Sequence, residues 1–229
     1  MKRILLILPA FFLLLSLQAQ SQRTNVRALE PFDQLSVFGN LEVELIPGDT
    51  AQMIASSMEI DLSSINSRVE KNELIISMSK DLFGASKKVQ VKVFYKKLKS
   101  ISATGGASVV AEQVMKGDKM SFNAGTGGSI VLSLDLKTLE ALVDEGSIIT
   151  FDGNVDYQKV TAGSGGVYSA FELISDDAVV KAHTGGRIKV YAGQLLDATA
   201  STKAYIGYRG SPEKTNFNSS LGGEIKEDE

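Results

Sequence analysis

Between residues 101 and 225, apolar and polar positions alternate in short runs, and the same small-residue corner interrupts each run. Alternation of this kind predicts strands with one buried face. The corner reads Thr104-Gly105-Gly106, Thr126-Gly127-Gly128, Glu145-Gly146, Ser164-Gly165-Gly166 and Thr184-Gly185-Gly186. A degenerate copy follows at Thr202-Lys203, and a last one at Gly222-Gly223. Steps between final corner residues are 22, 18, 20, 20, 17 and 20. A fixed period in this range predicts stacked coils, so the expected fold is an all-β solenoid.

Two residues past each corner stand Ser108, Ile130, Ile148, Tyr168, Ile188, Tyr205 and Ile225. Two further on stand Val110, Leu132, Thr150, Ala170, Val190 and Gly207. Because strand side chains alternate faces, each set should form one column through the stack. A second alternating stretch precedes each corner: Met120/Phe122/Ala124, Leu139/Ala141/Val143, Val160/Ala162, Ala178/Val180/Ala182 and Leu196/Ala198/Ala200. Its last inward residue is almost always small, as a sharp turn in a narrow core requires. The glycines should supply positive φ or close backbone approach, with the preceding Thr or Ser hydroxyl bonding a nearby backbone group.

The rhythm also occurs earlier. Leu35 to Val43 matches Ile101 to Val109 position by position, with Gly39-Asn40 at the corner, so residues 35–46 read as a first coil. Residues 47–100 are then an insertion, expected to form a β-meander cap at the N-terminal end of the stack. Within it, Pro47-Gly48-Asp49 reads as a turn and Glu59 to Ile65 as one short helix. Strands are expected at Glu73–Met78 and Val89–Tyr95, with a loop at Leu82 to Ser86. The weak corner at Lys203, the loop Arg209-Gly210-Ser211-Pro212 and the charged tail Glu227-Asp228-Glu229 read as a fading end of the array.

Residues 1–20 look like an address. Lys2 and Arg3 precede an apolar run from Ile4 to Leu17, and Ala19 offers a small residue for cleavage. That pattern predicts a secretory signal peptide, leaving residues 21–229 as a single solenoid domain. No Cys is present, so lipid attachment through cysteine, disulfides and thiolate chemistry are excluded. Without the signal, 22 basic residues face 27 acidic ones. A mildly acidic domain does not suit wholesale nucleic-acid binding. No later segment is apolar enough to span a membrane.

The order of parts resembles one known family. It runs from the leader through Phe32-Asp33-Gln34-Leu35-Ser36-Val37 and Asn72-Glu73-Leu74-Ile75-Ile76 to Leu98-Lys99-Ser100-Ile101-Ser102-Ala103-Thr104-Gly105-Gly106 and the repeated corners. This is similar to the auto-transporter adhesin head GIN domain, common in exported proteins of Bacteroidetes-type bacteria. The resemblance covers roughly residues 30 to 225. It implies a right-handed, single-stranded β-helix with an adhesin or surface-binding role, and it supplies no catalytic residues. No translocator barrel follows, so the chain is not expected to be an auto-transporter on its own.

Few residues suggest chemistry. His183 is the only histidine and sits beside a corner, where solvent exposure is the simpler reading. Asp152-Gly153-Asn154-Val155-Asp156 starts like a calcium loop, but Tyr157 and Gly163 occupy its Gly and Glu places. Gly163-Ser164-Gly165-Gly166 looks like a phosphate loop with no helix after it. Asp135, Asp156, Asp176 and Asp197 recur near the same part of successive coils, which could align the carboxylates of a carbohydrate-active enzyme. The clearest asymmetry is Lys87, Lys88, Lys92, Lys96, Lys97 and Lys99. These could meet anionic polysaccharide, lipid phosphate or nucleic acid, or could guard an exposed strand edge; edge protection is preferred. The expectation is a non-enzymatic, exported binding or scaffold module with no cofactor and no metal, its partner a glycan or another envelope component. A carbohydrate-active enzyme and a purely structural periplasmic protein are the alternatives.

Overall fold

A computed structural model describes residues 23–79 and 89–228. The leader, the loop at 82–86, Lys87, Lys88 and Glu229 lie outside the described residues. The strands are β1 Arg23–Ala28, β2 Gln34–Phe38, β3 Leu41–Pro47, β4 Gln52–Ser57, β5 Ile65–Glu70, β6 Glu73–Met78, β7 Val89–Tyr95, β8 Ser100–Thr104, β9 Ser108–Ala111 and β10 Met115–Gly125. They continue with β11 Ser129–Val143, β12 Ile148–Ala162, β13 Val167–Ala170, β14 Leu173–Ala182, β15 Arg187–Tyr191, β16 Leu195–Ser201, β17 Tyr205–Arg209, β18 Lys214–Ser220 and β19 Glu224–Glu227. They make a β-solenoid of about seven turns, each near 19 residues long.

Each coil contributes to two walls. After its corner, the chain pairs along the order β7–β3–β9–β11–β12–β13–β15–β17–β19, here the first wall. Before its corner it pairs along β6–β2–β8–β10–β11–β12–β14–β16–β18, the second wall. All these pairings are parallel. Strands β11 and β12 run through both walls, bending where pairing is skipped at Lys137 and Asp156.

The corner is a four-residue turn. At Gly163-Ser164-Gly165-Gly166, the Gly166 N–H donates to the Gly163 carbonyl at 2.7 Å. Both central residues have positive φ, 45° at Ser164 and 75° at Gly165. That is the mark of a type I′ turn. The central pairs Thr126/Gly127, Glu145/Gly146, Thr184/Gly185, Thr202/Lys203 and Leu221/Gly222 repeat it. The fourth residue has a different duty: a Cβ on Gly166 would lie 2.3 Å from the Val143 carbonyl oxygen in the preceding coil. Small size, rather than backbone freedom, selects that position.

Thr-Gly-Gly occupies the last three turn places at residues 126–128 but the first three at 104–106, where Ala107 is fourth. Ser147 and Ala204 likewise take the fourth place at their corners. The column read two residues past the corner is therefore off by one at Ser108, Ile148 and Tyr205, which face outward. The inward column is Val91, Val43, Val109, Ile130, Ile149, Tyr168, Ile188 and Ile206, each at most 1% exposed. Opposite it stand Ile76, Val37, Ala103, Ala124, Val143, Ala162, Ala182 and Ala200. Burying each Val or Ile contributes about 1.5–3 kcal/mol, so the ladder gains by a similar increment per coil. Phe122, Phe151 and Tyr168 pack in tilted and edge-on contacts nearby, with ring centres 4.7 and 5.9 Å apart.

One polar cluster interrupts this apolar interior. Gln158 stands between Leu139 and Ala178 in an inward column and is fully buried. It accepts a hydrogen bond from the Tyr168 hydroxyl at 2.9 Å and donates to Ser175 Oγ at 2.8 Å. Ser175 in turn donates to the Tyr191 carbonyl. Every member is satisfied, as burial of polar groups demands.

The N-terminal end is built differently. Leu35 pairs with Leu74 on one side and Ile101 on the other, so β6 and β7 add a further parallel layer outside the coil at 35–46. Antiparallel strands finish both walls beyond it: β4 and then β1 on the first, β5 on the second. Between them the expected helix at 59–65 is only a 3₁₀ turn, Leu62–Ser64, because the Asp61 carboxylate accepts from the Ser63 N–H and Ile65 already belongs to β5. Arg27 ties this end together, donating to the Leu62 and Ile65 carbonyls and to Ser67 Oγ. Ile60, Leu62 and Phe32 are buried beneath.

Candidate functional site

The outer face of the first wall carries a groove of about 490 Å³ across β7, β3 and β9. Alternation in β3 turns Val43 and Leu45 inward and leaves Glu42 and Glu44 outside. The parallel register then builds two cross-strand rows. Gln90, Glu42 and Ser108 form one; Lys92, Glu44 and Val110 form the other. Glu112 closes one end. The Lys92 ammonium lies 3.2 Å from the Glu44 carboxylate. Val110 is 39% exposed on the floor, and its register neighbour Val131 is 43% exposed.

Among the described residues, the lysines of the cluster do not form a single patch. Lys92 belongs to this groove, and Lys99 pairs with Asp33 at 2.5 Å. Lys96 and Lys97 are exposed in the connection that follows β7. Edge protection fails as an explanation for Lys92, because β7 is paired on both sides, with β3 and β4. The outermost strand of that wall is β1.

The other candidates come apart in the same way. Asp135 pairs across the wall with Lys116, whose ammonium is 3.1 Å away. Asp156 and Asp176 sit at the unpaired bend, in line with Asp118 and Lys137. Asp197 lies beside Val179 and accepts from the Asn216 amide at 3.2 Å. The four carboxylates thus occupy three different columns and do not converge. At the bend, the hydrogen bond from Lys137, with its charge, holds the Asp118 carboxyl below its usual range, and Asp118 raises the Lys137 ammonium in return.

Asp152 to Val155 form a paired stretch of β12 that ends at the unpaired Asp156, rather than a loop wrapped around a cation. Among the described residues, no group of three or more His, Asp or Glu is placed to hold a metal. The backbone N–H groups of Gly163 and Gly165 donate to the Val143 and Thr184 carbonyls of neighbouring coils, so they do not cradle a phosphate. His183 is exposed, with its ring over Gly163 and Nδ1 3.3 Å from the Thr184 hydroxyl. The Thr126 hydroxyl donates to the Glu145 carboxylate of the next coil instead of to the turn backbone.

Sequence reasoning missed the groove. Its alternating Glu42 and Glu44 were visible, but its rows join segments near residues 43, 91 and 109. Only the register brings them together.

Comparison with known proteins places the chain. The model of a family described as "Putative auto-transporter adhesin, head GIN domain" matches residues 31–212. A crystal structure of a "putative adhesin" from Bacteroides fragilis superposes with a TM-score of 0.82 at 16% identity, covering 92% of this chain and 98% of that one. A "putative lipid binding protein" from Parabacteroides distasonis gives 0.70 at 21% identity, covering 91% and 97%. A "putative adhesin" from Parabacteroides merdae gives 0.69 at 19%, covering 91% and 96%. At such identities the likeness is one of fold. A search of curated protein sequences gives no match.

Proposed function

Since the chain belongs to the family described as "Putative auto-transporter adhesin, head GIN domain", we propose that it is a non-enzymatic binding module exported to the cell envelope, holding its ligand on the outer face of stacked coils. The observation that carries this reading is the groove across β7, β3 and β9, built on a scaffold whose interior is filled. The dispersed aspartates support a binding role over glycoside hydrolysis, which requires two carboxylates facing one bond. Export rests on the leader-like residues 1–20, and among the described residues no helix is long and apolar enough to cross a membrane.

Two measurements test this. The protein made in its host should lie outside the cytoplasm, with its N-terminus near Gln20 or Ser21; an intact Met1 on a cytoplasmic product would sink the export claim. Purified residues 21–229, presented to isolated cell envelopes and to a glycan array with and without calcium, should be retained by envelopes. Absence of retention under every condition would defeat the binding reading.

A further inference from the structure

We infer that the C-terminal end of the stack is a self-association surface, on which a second copy of this chain seats its own C-terminal end across a two-fold axis. The inference does not depend on any ligand held by the walls. Strand β18 pairs only with β16, and β19 only with β17, so among the described residues no strand lies beyond either. The inward columns, closed in the preceding coils, stand open here. Phe217 follows the fully buried Ala198 in its column and is itself 44% exposed. Its ring packs against Tyr208, with centres 5.5 Å apart. Ile225 follows the buried Ile206 and is only partly covered, and Leu221 in the last turn is 79% exposed.

Proteins usually blunt a strand edge with charge, proline or a bulge. From Thr215 to Gly223 this edge has neither a charged residue nor a proline. Its pairing with β16 also runs unbroken through all seven residues of β18. The opposite end is guarded. Arg27 lies in register with the buried Met53, on the interior side of the outermost strand β1, and Ile60 and Leu62 fill the core beneath. The leader and residues 80–88 adjoin strands of that guarded end.

The backbone sets the geometry of the contact. The N–H groups of Lys214, Glu224 and Asp228 donate back to the Gln194, Ala204 and Tyr208 carbonyls of the preceding coil. Successive residues of a strand present their backbone groups to opposite sides, so those of Phe217, Ser219 and Ile225 face away from the stack. A two-fold axis perpendicular to the walls lays β18 against β18 and β19 against β19, both antiparallel. Centred on Ile225, the register makes Ile225 and its counterpart exchange both N–H···O=C bonds. It also sets Glu224 opposite the second copy's Lys226, and Lys226 opposite that copy's Glu224. Both residues lie on the outer face, in register with Tyr205 and Gly207. Opposite charges directly across a strand pair are favourable. The same contact covers Phe217, Leu221 and Ile225 on both copies. An interface of this kind complements itself and stops at two.

The test is the molar mass of residues 21–229 in solution, measured by light scattering over a hundredfold range of concentration, with a thermal melt of each variant. The parent should pass from monomer to dimer as concentration rises. Glu224→Lys and Lys226→Glu each set like charges across the axis and should weaken the dimer at least tenfold. The double variant Glu224→Lys/Lys226→Glu restores both pairs with signs exchanged and should dimerise like the parent. Ser219→Pro removes an N–H that points away from β16, so it should melt like the parent and stay monomeric. Lys159→Glu, exposed on the second wall in mid-stack, is the charge control and should change nothing. A parent that stays monomeric throughout overturns the inference. Masses that climb past the dimer show head-to-tail growth and overturn the two-fold contact. Single reversals that dimerise like the parent, or a double variant that melts normally and fails to recover, overturn the register.

Discussion

The regular coils and the N-terminal end solve the same problem by different means. From residue 101 onward, each coil covers the last with a copy of itself, and the repeated unit is a turn plus two inward columns. At the N-terminal end no further copy arrives. There, antiparallel strands reverse the walls, apolar Ile60 and Leu62 plug the interior, and one arginine links three segments. Repetition needs only small residues in the right places, whereas closure needs particular side chains. The two regions should therefore fail differently when damaged.

The largest effect is expected inside the array. Gly166→Val places a branched side chain against the Val143 carbonyl, where even a Cβ would sit 2.3 Å away. Two coils must separate locally, at a cost of about 3 kcal/mol or more. His183→Ala, seventeen residues on and exposed, should change the melting temperature little. A reversed order in paired melts would show that the packed corner does not govern stability.

A smaller loss probes the buried polar cluster around Gln158. Tyr168→Phe keeps the ring against Phe151 but leaves Gln158 Oε1 without its donor, for about 1–2 kcal/mol. It should also alter the alkaline limb of stability. Burial pushes the Tyr168 hydroxyl above its ordinary value near 10. Above that pH the unfolded chain releases this proton while the folded chain keeps it. The group's contribution is thus complete below about pH 10 and declines as pH rises, by up to about 1.4 kcal/mol per pH unit. Burial raises Tyr95 as well, so the wild type minus variant difference isolates Tyr168. Parallel alkaline curves for the two proteins would remove Tyr168 as the cause.

The smallest global effect should come from the end. Arg27→Met frees the Leu62 and Ile65 carbonyls to water, with a loss of about 1 kcal/mol. Hydrogen exchange should show faster exchange in β1 and the 3₁₀ turn while protection in β12 and β14 stays the same. Uniform acceleration along the chain would mean that closure and array form one cooperative unit.

Legibility in the sequence follows the same division. The corner rhythm shows the solenoid plainly, because a tight turn with two positive-φ residues leaves few choices of residue. Its phase is less visible. Thr-Gly-Gly fits either the first or the last three places of the turn, which misplaced Ser108, and the non-glycine fourth residues Ser147 and Ala204 hid the end of the turn before Ile148 and Tyr205. Gln158 was not singled out because a polar residue in one strand looks outward until its neighbours Leu139 and Ala178 are known. The groove was hidden for a related reason. Consecutive lysines are conspicuous in a sequence, whereas Glu44, Lys92 and Val110 become neighbours only through pairing.

The position of the coil at 35–46 has a consequence for how the chain acquires its shape. That coil is sandwiched between β6 and β7 on one side and β8 and β9 on the other, and its partner Ile101 lies 66 residues from Leu35. Later coils join a partner only about 19 residues away. Closing that one long loop is therefore the step we expect to be slow, since loop closure precedes any reward from non-local pairing. Once residue 111 is in place a complete template exists. Growth beyond it proceeds like a zipper, one short loop per tooth.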